Sequence, residues 1–578
     1  MDSFGFEKAG LAEEFHVLSL CGSWGQEANL AESEVAVGQT VRLGTHLGVH
    51  GAFENNPAFM LSVGRRADEE CGCVVGGVLA WSGAWEMAIE HTCNHDLWIY
   101  AGAANVAGPY VLDPGKSITL PVFALTYSAN GKGDVSRAFH RWAREWRMPH
   151  GRTTRDILLN SWEGAHFHFN EKTLTDMMDG VREMGGEMFV IDDGWFGRGE
   201  FARDDDHRGL GDWCWNYDKL PKGPAYLVRE AAKRGLKLGL WFEPEMANTK
   251  SALATEHPDW IMREKGRKIR CGRGGTQVLL DMANPAVRDN VFRQIDAVLR
   301  AAKGIEYIKW DANCDFLNPG SAYLDGRHQA NIWFDYTAGV FELFARLRAK
   351  YPDIVFQACA SGGGHVDYGW LGQSDEIWGS DNTCSQQRVL IQWGEEQFYP
   401  ASALAAHVTV SPNHQTGRDA PLKYRFDVAM SGRMGFELRP ETLTPEEVEF
   451  SKRAVEVYKR IRETVQLGDL YRLDSPYECD HASMLFASRD KSHAVLMVYG
   501  RERVANRDCA NLRIRGLDPD RKYFVEEVNM TTKASGEPHC HVKCVHGDTV
   551  SGAALMAVGL QYWLGPENDS FIVEFTES

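Results

Sequence analysis

Residues 307–313 read Tyr307-Ile308-Lys309-Trp310-Asp311-Ala312-Asn313, an apolar and β-branched run that delivers an aspartate at its end. Two other segments share this design, FVIDDGW (189–195) and EIWGSDNT (376–383). Short apolar runs are typical of buried strands, and a parallel barrel keeps its chemistry where its strands end. The three segments therefore predict a parallel barrel in which Asp311 and Asp381 are a catalytic pair.

Strand-like runs alternate with helical stretches through the middle of the chain, from residue 155 to residue 439. The predicted strands are 157–162, 188–193, 236–243, 307–311, 354–361, 376–381, 405–411 and 433–438, and the predicted helices between them include 174–184, 224–234, 287–302 and 339–350. Eight such units match the usual size of a (β/α)₈ barrel, about 250 residues. A doubly wound open sheet is the alternative. The barrel is preferred because polar residues recur at nearly every strand end.

The segments before and after this region alternate in the β manner. Examples are 40–44 and 118–125 upstream, and 494–499 and 571–575 downstream. They predict an N-terminal β-sandwich and a small C-terminal antiparallel β domain. The expected fold is therefore a multidomain α/β protein with a central TIM-type barrel. The predicted domains are 1–150, 151–470 and 471–578.

Two further helices are expected at the ends of the barrel region. A short amphipathic helix covers 135–146, and a last helix runs from 445 to about 463. Thr444 suits the N-cap of the second helix, and Glu447, three residues later, completes a capping box. Pro445 suits its first helical position.

Charge and hydropathy exclude two classes of partner. The formal net charge of −18 argues against nucleic acid, which is bound by clustered Lys and Arg. No run of about 18 apolar residues exists, so no membrane span is expected. The N-terminal residues carry no visible secretory signal. The 13 cysteines are an odd number and scattered, which suits free thiols in a reducing compartment. A cytoplasmic location is the expectation.

One cluster of histidines and cysteines lies near the C-terminus. His539, Cys540, His541, Cys544 and His546 fit no familiar zinc spacing, and alternation along a strand turns its members to opposite faces. We therefore expect neither a metal nor a cofactor.

Several motifs at the strand ends look like those of the bacterial α-galactosidases of glycoside hydrolase family 36. They are NSWEG (160–164), FVIDDGWFGRG (189–199), LGDW (210–213), GLWFEPEM (239–246), YIKWDAN (307–313), CASGGGHVDYG (359–369), WGSDNT (378–383) and PNHQTGR (412–418). They fall in family order and span the barrel. A weaker likeness, NNPAF (55–59) and LAWSGAWE (79–86), extends into the N-terminal domain, which is shorter than in the large family members.

This resemblance implies a retaining glycosidase, which needs two carboxylates about 5–5.5 Å apart. Asp311 corresponds to the nucleophile and Asp381 to the acid/base. Asp192 and Asp193 correspond to residues that take the 4- and 6-hydroxyls of galactose. The resemblance further places Lys309 at the 3-hydroxyl, Trp162 at an apolar wall, and Cys359 and Ser361 at the 2-position. Trp241, Arg273 and Gly363 are also expected in the pocket, Gly363 because glycine allows a ligand to approach the backbone closely. Trp85 is expected to reach in from the sandwich domain or from a neighbouring subunit, unless it is a core residue.

The chain departs from the family pattern at three positions. Gln357 and His365 stand where family members commonly carry Glu and Arg, and Gly275 stands where an arginine is expected. These changes are expected near the 2-position of the sugar. They leave open a 2-acetamido sugar, whose larger group needs space there.

The leading hypothesis is an exo-acting retaining α-galactosidase. Its first rival is the same chemistry on α-N-acetylgalactosaminides or α-galactosaminides. A catalytically silent carbohydrate-binding protein is the rival of another class, and the presence of both carboxylates argues against it. A transglycosylating or sucrose-dependent synthase is a minor third option. The expected partner is a substrate with a terminal α-galactosyl-type sugar, and the resemblance makes a homo-oligomer plausible.

Overall fold

The computed structural model describes residues 2–8, 14–502, 510–533, 535–565 and 567–578. Its N-terminal region forms two antiparallel sheets. The strands are β1 (Asp2–Lys8), β2 (Phe15–Ser23), β3 (Gln26–Glu34), β4 (Gln39–Thr45), β5 (Glu54–Val63), β6 (Cys73–Ala80), β7 (Trp85–His91), β8 (Leu97–Ala103) and β9 (Val122–Ser128). The sheets have the strand orders β1-β8-β7-β4 and β3-β2-β5-β6-β9. Phe59 and Leu61 of β5 lie in one buried cluster with Met87 and Ile89 of β7. The two sheets therefore form a sandwich, as predicted.

One predicted strand of the sandwich was placed too early. The run 118–125 was expected to be a strand, but β9 begins only at Val122. Pro121 precedes it and has no backbone N–H to donate to a β-ladder. The alternation before Pro121 therefore belongs to irregular chain.

Eight parallel strands close into a barrel in the middle of the chain. The strands of this region are β10 (Leu158–Asn160), β11 (Met188–Ile191), β12 (Lys237–Phe242), β13 (Met246–Asn248), β14 (Gln277–Leu279), β15 (Ile305–Trp310), β16 (Val355–Ala358), β17 (Glu376–Trp378), β18 (Leu404–Thr409) and β19 (Arg433–Glu437). β13 and β14 pair with each other outside the barrel, and β10 pairs with β19 to close it. Each barrel strand overlaps one predicted strand. The barrel is confirmed, and the open sheet was the wrong alternative.

Most of the helices connect the barrel strands or flank the barrel, whereas α11 belongs to the C-terminal region. They are α1 (Gly131–Trp142), α2 (Trp162–Ala165), α3 (Glu171–Glu183), α4 (Pro224–Lys233), α5 (Ala252–Glu256), α6 (Pro285–Ala301), α7 (Ile332–Lys350), α8 (Ser385–Glu395), α9 (Leu422–Ala429), α10 (Pro445–Leu467) and α11 (Gly552–Ala557). Thr444 and Glu447 form the predicted capping box at the start of α10. No described helix combines the length and the apolar character that crossing a membrane requires.

The C-terminal region is mainly a six-stranded antiparallel sheet with a short two-stranded sheet beside it. Its strands are β20 (Asp469–Asp474), β21 (His481–Ala487), β22 (His493–Gly500), β23 (Ala510–Leu512), β24 (Lys522–Val528), β25 (Thr549–Ser551), β26 (Leu560–Tyr562) and β27 (Ser570–Glu577). Leu496 of β22 and Val573 of β27 share a buried cluster with Leu512 and Leu560 of the small sheet. The predicted C-terminal β domain is confirmed.

A buried polar network fills one layer of the barrel interior. Arg433 on β19 forms an ion pair with Glu376 on β17, and both side chains are almost wholly buried. The Tyr307 hydroxyl donates to Glu376 Oε1 at 2.5 Å, and Gln357 Nε2 donates to the same oxygen at 3.0 Å. A buried ion pair is costly to break from one side, because the remaining charge keeps its desolvation cost.

Replacing Arg433 with methionine is expected to lower the free energy of unfolding by about 3–5 kcal/mol, because Glu376 loses its cation while it stays buried. Thermal and denaturant unfolding measure the change. Arg439→Met is the matched control. Arg439 is half-exposed and its contact with Glu441 is long, at 4.0 Å, so we expect the free energy of unfolding to change by no more than about 0.5 kcal/mol. Equal effects in the two variants would show that the network does not stabilise the barrel.

Candidate active site

A cavity of about 700 Å³ opens at the ends of the barrel strands. Most of the residues predicted for the site line it, namely Trp162, Asp192, Asp193, Trp241, Arg273, Lys309, Asp311, Ser361 and Asp381. The same cavity is lined by residues to which we had assigned no role, including Trp24, His50, Glu163, Asn313, Trp378, His414 and Glu437. The strand ends thus bring together carboxylates that lie far apart in the sequence.

Asp311 is held rigidly where β15 ends. Its backbone N–H donates to the Phe242 carbonyl at 2.8 Å, which continues the ladder to β12. The Asn313 amide donates to Asp311 Oδ2 at 3.0 Å, and the Trp241 indole donates to the same oxygen at 3.2 Å. These donors bind a carboxylate better than a neutral acid, so they favour the ionised form.

The surroundings of Asp311 keep it ionised. Burial by itself would raise the pKa of the Asp311 carboxyl. The Lys309 ammonium outweighs this effect together with hydrogen bonds from Asn313 and Cys359, so the pKa lies below its usual range. An ionised, buried carboxylate is what a nucleophile at this position requires.

Asp381, three residues after β17, has the opposite electrostatic setting. The Trp378 indole donates to Asp381 Oδ1 at 2.9 Å, and the Trp24 indole donates to Oδ2 at 3.0 Å. Burial, followed by the negative charge of Asp311, raises the pKa of Asp381 above its usual range despite these donors. Two carboxyls whose environments move their pKa values apart can act as nucleophile and acid.

The adjacent carboxylates that follow β11 have different partners. Asp192 Oδ2 accepts hydrogen bonds from Lys309 Nζ at 2.9 Å and from Asn160 Nδ2 at 2.7 Å. Asp193 is engaged by the Arg203 guanidinium through two nitrogens, Nε at 3.0 Å and Nη2 at 2.7 Å. Both carboxylates line the cavity. Lys309 and Arg203 hold these carboxylates in place. Their oxygens can therefore accept hydrogen bonds from the hydroxyl groups of a bound sugar.

Trp85, Cys359 and Gly363 do not line the cavity. Trp85 is fully buried, and its indole donates to the Gly51 carbonyl at 2.7 Å within the sandwich core. The prediction that it reaches the site was wrong, and the alternative of a core residue is correct. Cys359 is buried, and a hydrogen bond from its thiol helps to lower the pKa of Asp311.

The close backbone approach at Gly363 is to the protein itself. A Cβ atom at Gly363 would come within 2.9 Å of Glu27 Cγ, and one at Gly362 would come within 2.6 Å of the Asp381 backbone nitrogen. Gly362 also has a positive φ of 81°, which favours glycine. These glycines allow their loop to pack against the Asp381 loop. The expectation of a ligand at Gly363 is therefore replaced by a packing role.

None of the three departures from the family pattern lines the cavity. Gln357 belongs to the buried network around Glu376, and His365 is buried and stacks on Trp370 with ring centroids 4.3 Å apart. The third, Gly275, ends the short turn Arg273–Gly275. Arg273 is itself half-exposed at the cavity. The expectation that all three changes cluster around one sugar position was wrong, because Gln357 lies in the buried layer around Glu376 and His365 packs against Trp370.

A second acidic group lies beside Asp381 and was not predicted. Glu163 Oε1 accepts from the Thr383 hydroxyl at 2.9 Å, and Glu163 Oε2 lies 3.4 Å from His414 Nδ1. Burial raises the pKa of Glu163, while the hydrogen bond from His414 opposes that shift. Glu163 and His414 both fall in motifs quoted above, NSWEG and PNHQTGR, so membership of those motifs was the available signal. Trp24 belonged to no such motif.

One member of the C-terminal histidine and cysteine cluster, His541, is held by ion pairs. His541 Nδ1 lies 2.7 Å from Glu527, and Nε2 lies 3.1 Å from Asp569. Burial opposes protonation of this ring, but the two carboxylates raise the pKa of His541 to about 9. Within the described ranges, no group of three or more His, Cys, Asp or Glu side chains is arranged to hold a metal ion.

Family models match the chain along nearly its whole length. Residues 117–468 match the model described as Melibiase, residues 9–113 match the N-terminal domain of glycosyl hydrolase family 36, and residues 481–575 match its C-terminal domain. Among curated relatives, the bifunctional alpha-galactosidase/sucrose kinase AgaSK of Mediterraneibacter gnavus is 35% identical over 569 residues, which cover 98% of this chain and 57% of AgaSK. The alpha-galactosidase AgaA of Geobacillus stearothermophilus is 36% identical over 516 residues, which cover 89% of this chain and 69% of AgaA.

Solved structures agree with these matches. The crystal structure of AgaA superimposes with a TM-score of 0.91 at 32% identity and covers 99% of this chain and 76% of the AgaA chain. The galactosidase domain of AgaSK gives a TM-score of 0.88 at 34% identity, over 99% of this chain and 75% of that domain. The chain thus spans little more than half of AgaSK and about two thirds of AgaA. On the family models, the relatives and the barrel site together, this chain belongs to glycosyl hydrolase family 36.

Proposed function

We propose that this protein is an exo-acting retaining α-galactosidase that releases terminal α-linked galactose from oligosaccharides. The observation that carries the proposal is the contrast between Asp311, held ionised, and Asp381, whose pKa is raised, in one cavity. The relatives support the sugar: they are named alpha-galactosidases, and variants of AgaA have been crystallised with raffinose and with stachyose.

The reaction proceeds in two displacements. In the first, an Asp311 oxygen forms a bond to the anomeric carbon as the bond from that carbon to the departing oxygen breaks, and Asp381 gives its proton to the departing oxygen. In the second, Asp381 takes a proton from water, whose oxygen attacks the anomeric carbon and releases Asp311. Configuration is retained because each displacement inverts it.

The residues expected near the 2-position of the sugar favour galactose over its 2-acetamido derivative. Gln357 and His365, which suggested a remodelled pocket, are buried away from the cavity. Ser361 is at the cavity instead, where its hydroxyl donates to Asn313 Oδ1 at 3.0 Å. The neighbouring Asn313 is tied to Asp311, so a bulky group there would disturb the nucleophile.

The experiment that tests the proposal compares kcat/KM for 4-nitrophenyl α-galactoside and 4-nitrophenyl α-N-acetylgalactosaminide. We expect a preference for the galactoside of about 100-fold or more, because an extra group that does not fit its site displaces the reacting centre. A preference for the acetamido sugar would replace the proposal by its rival. Absence of turnover on both sugars would leave an α-galactosaminidase or the silent binding protein.

The rate is expected to depend on pH through the two carboxyls. Turnover needs Asp311 deprotonated and Asp381 protonated, so the profile of kcat/KM should be bell-shaped. The lowered pKa of Asp311 places the acid limb below about 3.9, and the raised pKa of Asp381 places the alkaline limb above it. Initial rates from pH 3 to pH 9 measure both limbs. In Asp381→Asn, the residual activity should lose the alkaline limb; an unchanged limb would assign it to another group.

Homo-oligomerisation and a cytoplasmic location stay predictions. Light scattering in solution tests the first. Product analysis with raffinose at high concentration separates hydrolysis from transglycosylation, the minor alternative for this site.

A further inference from the structure

The turn between β2 and β3 reaches from the sandwich onto the loop that carries Asp381. Trp24 Nε1 donates to Asp381 Oδ2 at 3.0 Å, and the Asn382 amide donates to the Gly25 carbonyl at 2.8 Å. The hydroxyl of Ser380 donates to Glu27 Oε2 at 2.6 Å. Three consecutive residues of the Asp381 loop are therefore bound by one turn, residues 24–27, from a different domain.

The anchor of this turn is buried although its tip is not. Glu27 is 5% exposed and Ser380 is fully buried. The other Glu27 oxygen, Oε1, accepts from the backbone nitrogen of Gly25 at 3.0 Å. A Cβ atom at Gly363 would crowd Glu27 Cγ, so the glycine loop leaves room for this carboxylate. Trp24 itself is 56% exposed, so its hydrogen bond and the anchor below it, rather than burial, hold it over Asp381.

We propose that Trp24 is a positioning residue that holds Asp381 in the orientation from which it protonates the departing oxygen, and that Glu27 acts through Trp24 by anchoring the turn. The inference rests on the proposed function and deepens it. It assigns part of the acid/base machinery to the N-terminal domain.

The chemistry of the first displacement explains why this contact matters. As the bond from the anomeric carbon breaks, its electron pair goes to the departing oxygen and the proton leaves Asp381, which becomes a carboxylate. The Trp24 and Trp378 indoles hold one oxygen of that carboxylate each. An N–H donor binds a carboxylate more strongly than a neutral acid, so these contacts strengthen as the reaction proceeds. Their effect is largest where protonation matters most, on substrates with a basic departing oxygen.

The decisive variant is Trp24→Phe, which keeps an aromatic surface and removes the N–H. Its kcat and KM are measured on 4-nitrophenyl α-galactoside, whose departing oxygen needs little protonation, and on methyl α-galactoside, whose departing oxygen needs much. We expect kcat/KM to fall about 10-fold on the methyl galactoside, mainly in kcat, and less than about 2-fold on the nitrophenyl galactoside. Equal losses on both substrates, or a loss confined to KM, would overturn the inference and make Trp24 a surface for the sugar.

The role of Glu27 is tested by coupling. Glu27→Ala should reproduce the selective loss of kcat/KM on the methyl galactoside. The double variant Trp24→Phe/Glu27→Ala should be no slower than the slower single variant, because both changes remove the same contact, that of Trp24 with Asp381. Additive losses would show that Glu27 does not act through Trp24. Thermal unfolding checks each protein, and if Glu27→Ala does not fold, the comparison of substrates in Trp24→Phe still decides the assignment of Trp24.

Two controls separate the possible failures. Trp146→Phe, at a tryptophan that is 76% exposed and lies outside the site, should leave the ratio of the two substrates unchanged. A wild-type protein that hydrolyses neither galactoside would overturn the proposed function, and this inference with it. Wild-type turnover combined with an unchanged substrate ratio in Trp24→Phe would overturn the inference alone.

Discussion

Asp311→Ala is expected to lower kcat/KM by about 10⁴-fold or more on every α-galactoside, whatever the departing group. The first displacement has no nucleophile in this variant, and a good departing group cannot replace it. We expect azide to enter the space that the missing carboxylate leaves. Because azide then attacks in a single displacement, we expect it to restore slow turnover and to yield the β-galactosyl azide, which NMR identifies.

The matched control for this variant is Asp289→Ala. Asp289 is an exposed aspartate on α6 whose side chain pairs only with Arg346 within the described part of the chain, and its loss should leave kcat/KM unchanged. Unfolding curves establish that both variants are folded. Activity of Asp311→Ala near that of the wild type, or formation of the α-azide, would remove Asp311 from the role of nucleophile.

Asp381→Ala is expected to show a different pattern, because the protein keeps its nucleophile but loses its acid and base. We expect kcat/KM to fall about 10²- to 10⁴-fold on methyl α-galactoside or raffinose, and much less on 4-nitrophenyl α-galactoside. With 4-nitrophenyl α-galactoside, whose first displacement stays fast, the glycosyl-enzyme then accumulates, since no base activates water. Azide needs no base, so it should accelerate turnover and yield the α-galactosyl azide.

The product of azide rescue separates the two assignments. A β-azide from Asp381→Ala, or losses that do not depend on the departing group, would show that Asp381 is not the acid/base. The comparison with Trp24→Phe is also informative. The positioning variant should show the same dependence on the departing group with a smaller amplitude, because it weakens the acid without removing it.

The barrel and its catalytic carboxylates could be predicted because their signals are local. Most barrel strands are short and largely apolar runs; Asp192 and Asp311 follow such runs directly, and Asp381 lies three residues after one. Strands of a closed parallel barrel place their carboxyl ends on one face. Periodicity and position therefore determined the architecture, and the resemblance to the family supplied the roles.

The remainder depended on contacts between residues far apart in the chain. Whether Trp85 or Trp24 reaches the site depends on how the sandwich docks on the barrel, and Trp24 and Asp381 are separated by 357 positions. The sequence placed Gln357 in the pocket, but its side chain is buried and donates a hydrogen bond to Glu376. Burial opposes the lowered pKa of Asp311, which results from the Lys309 charge and hydrogen bonds, whereas burial and the Asp311 charge raise the pKa of Asp381; these effects act through space. The sequence by itself determined the elements and the reactive groups, whereas the tertiary structure alone decided their partners, because burial and electrostatic fields depend on distance in space and not on spacing in the chain.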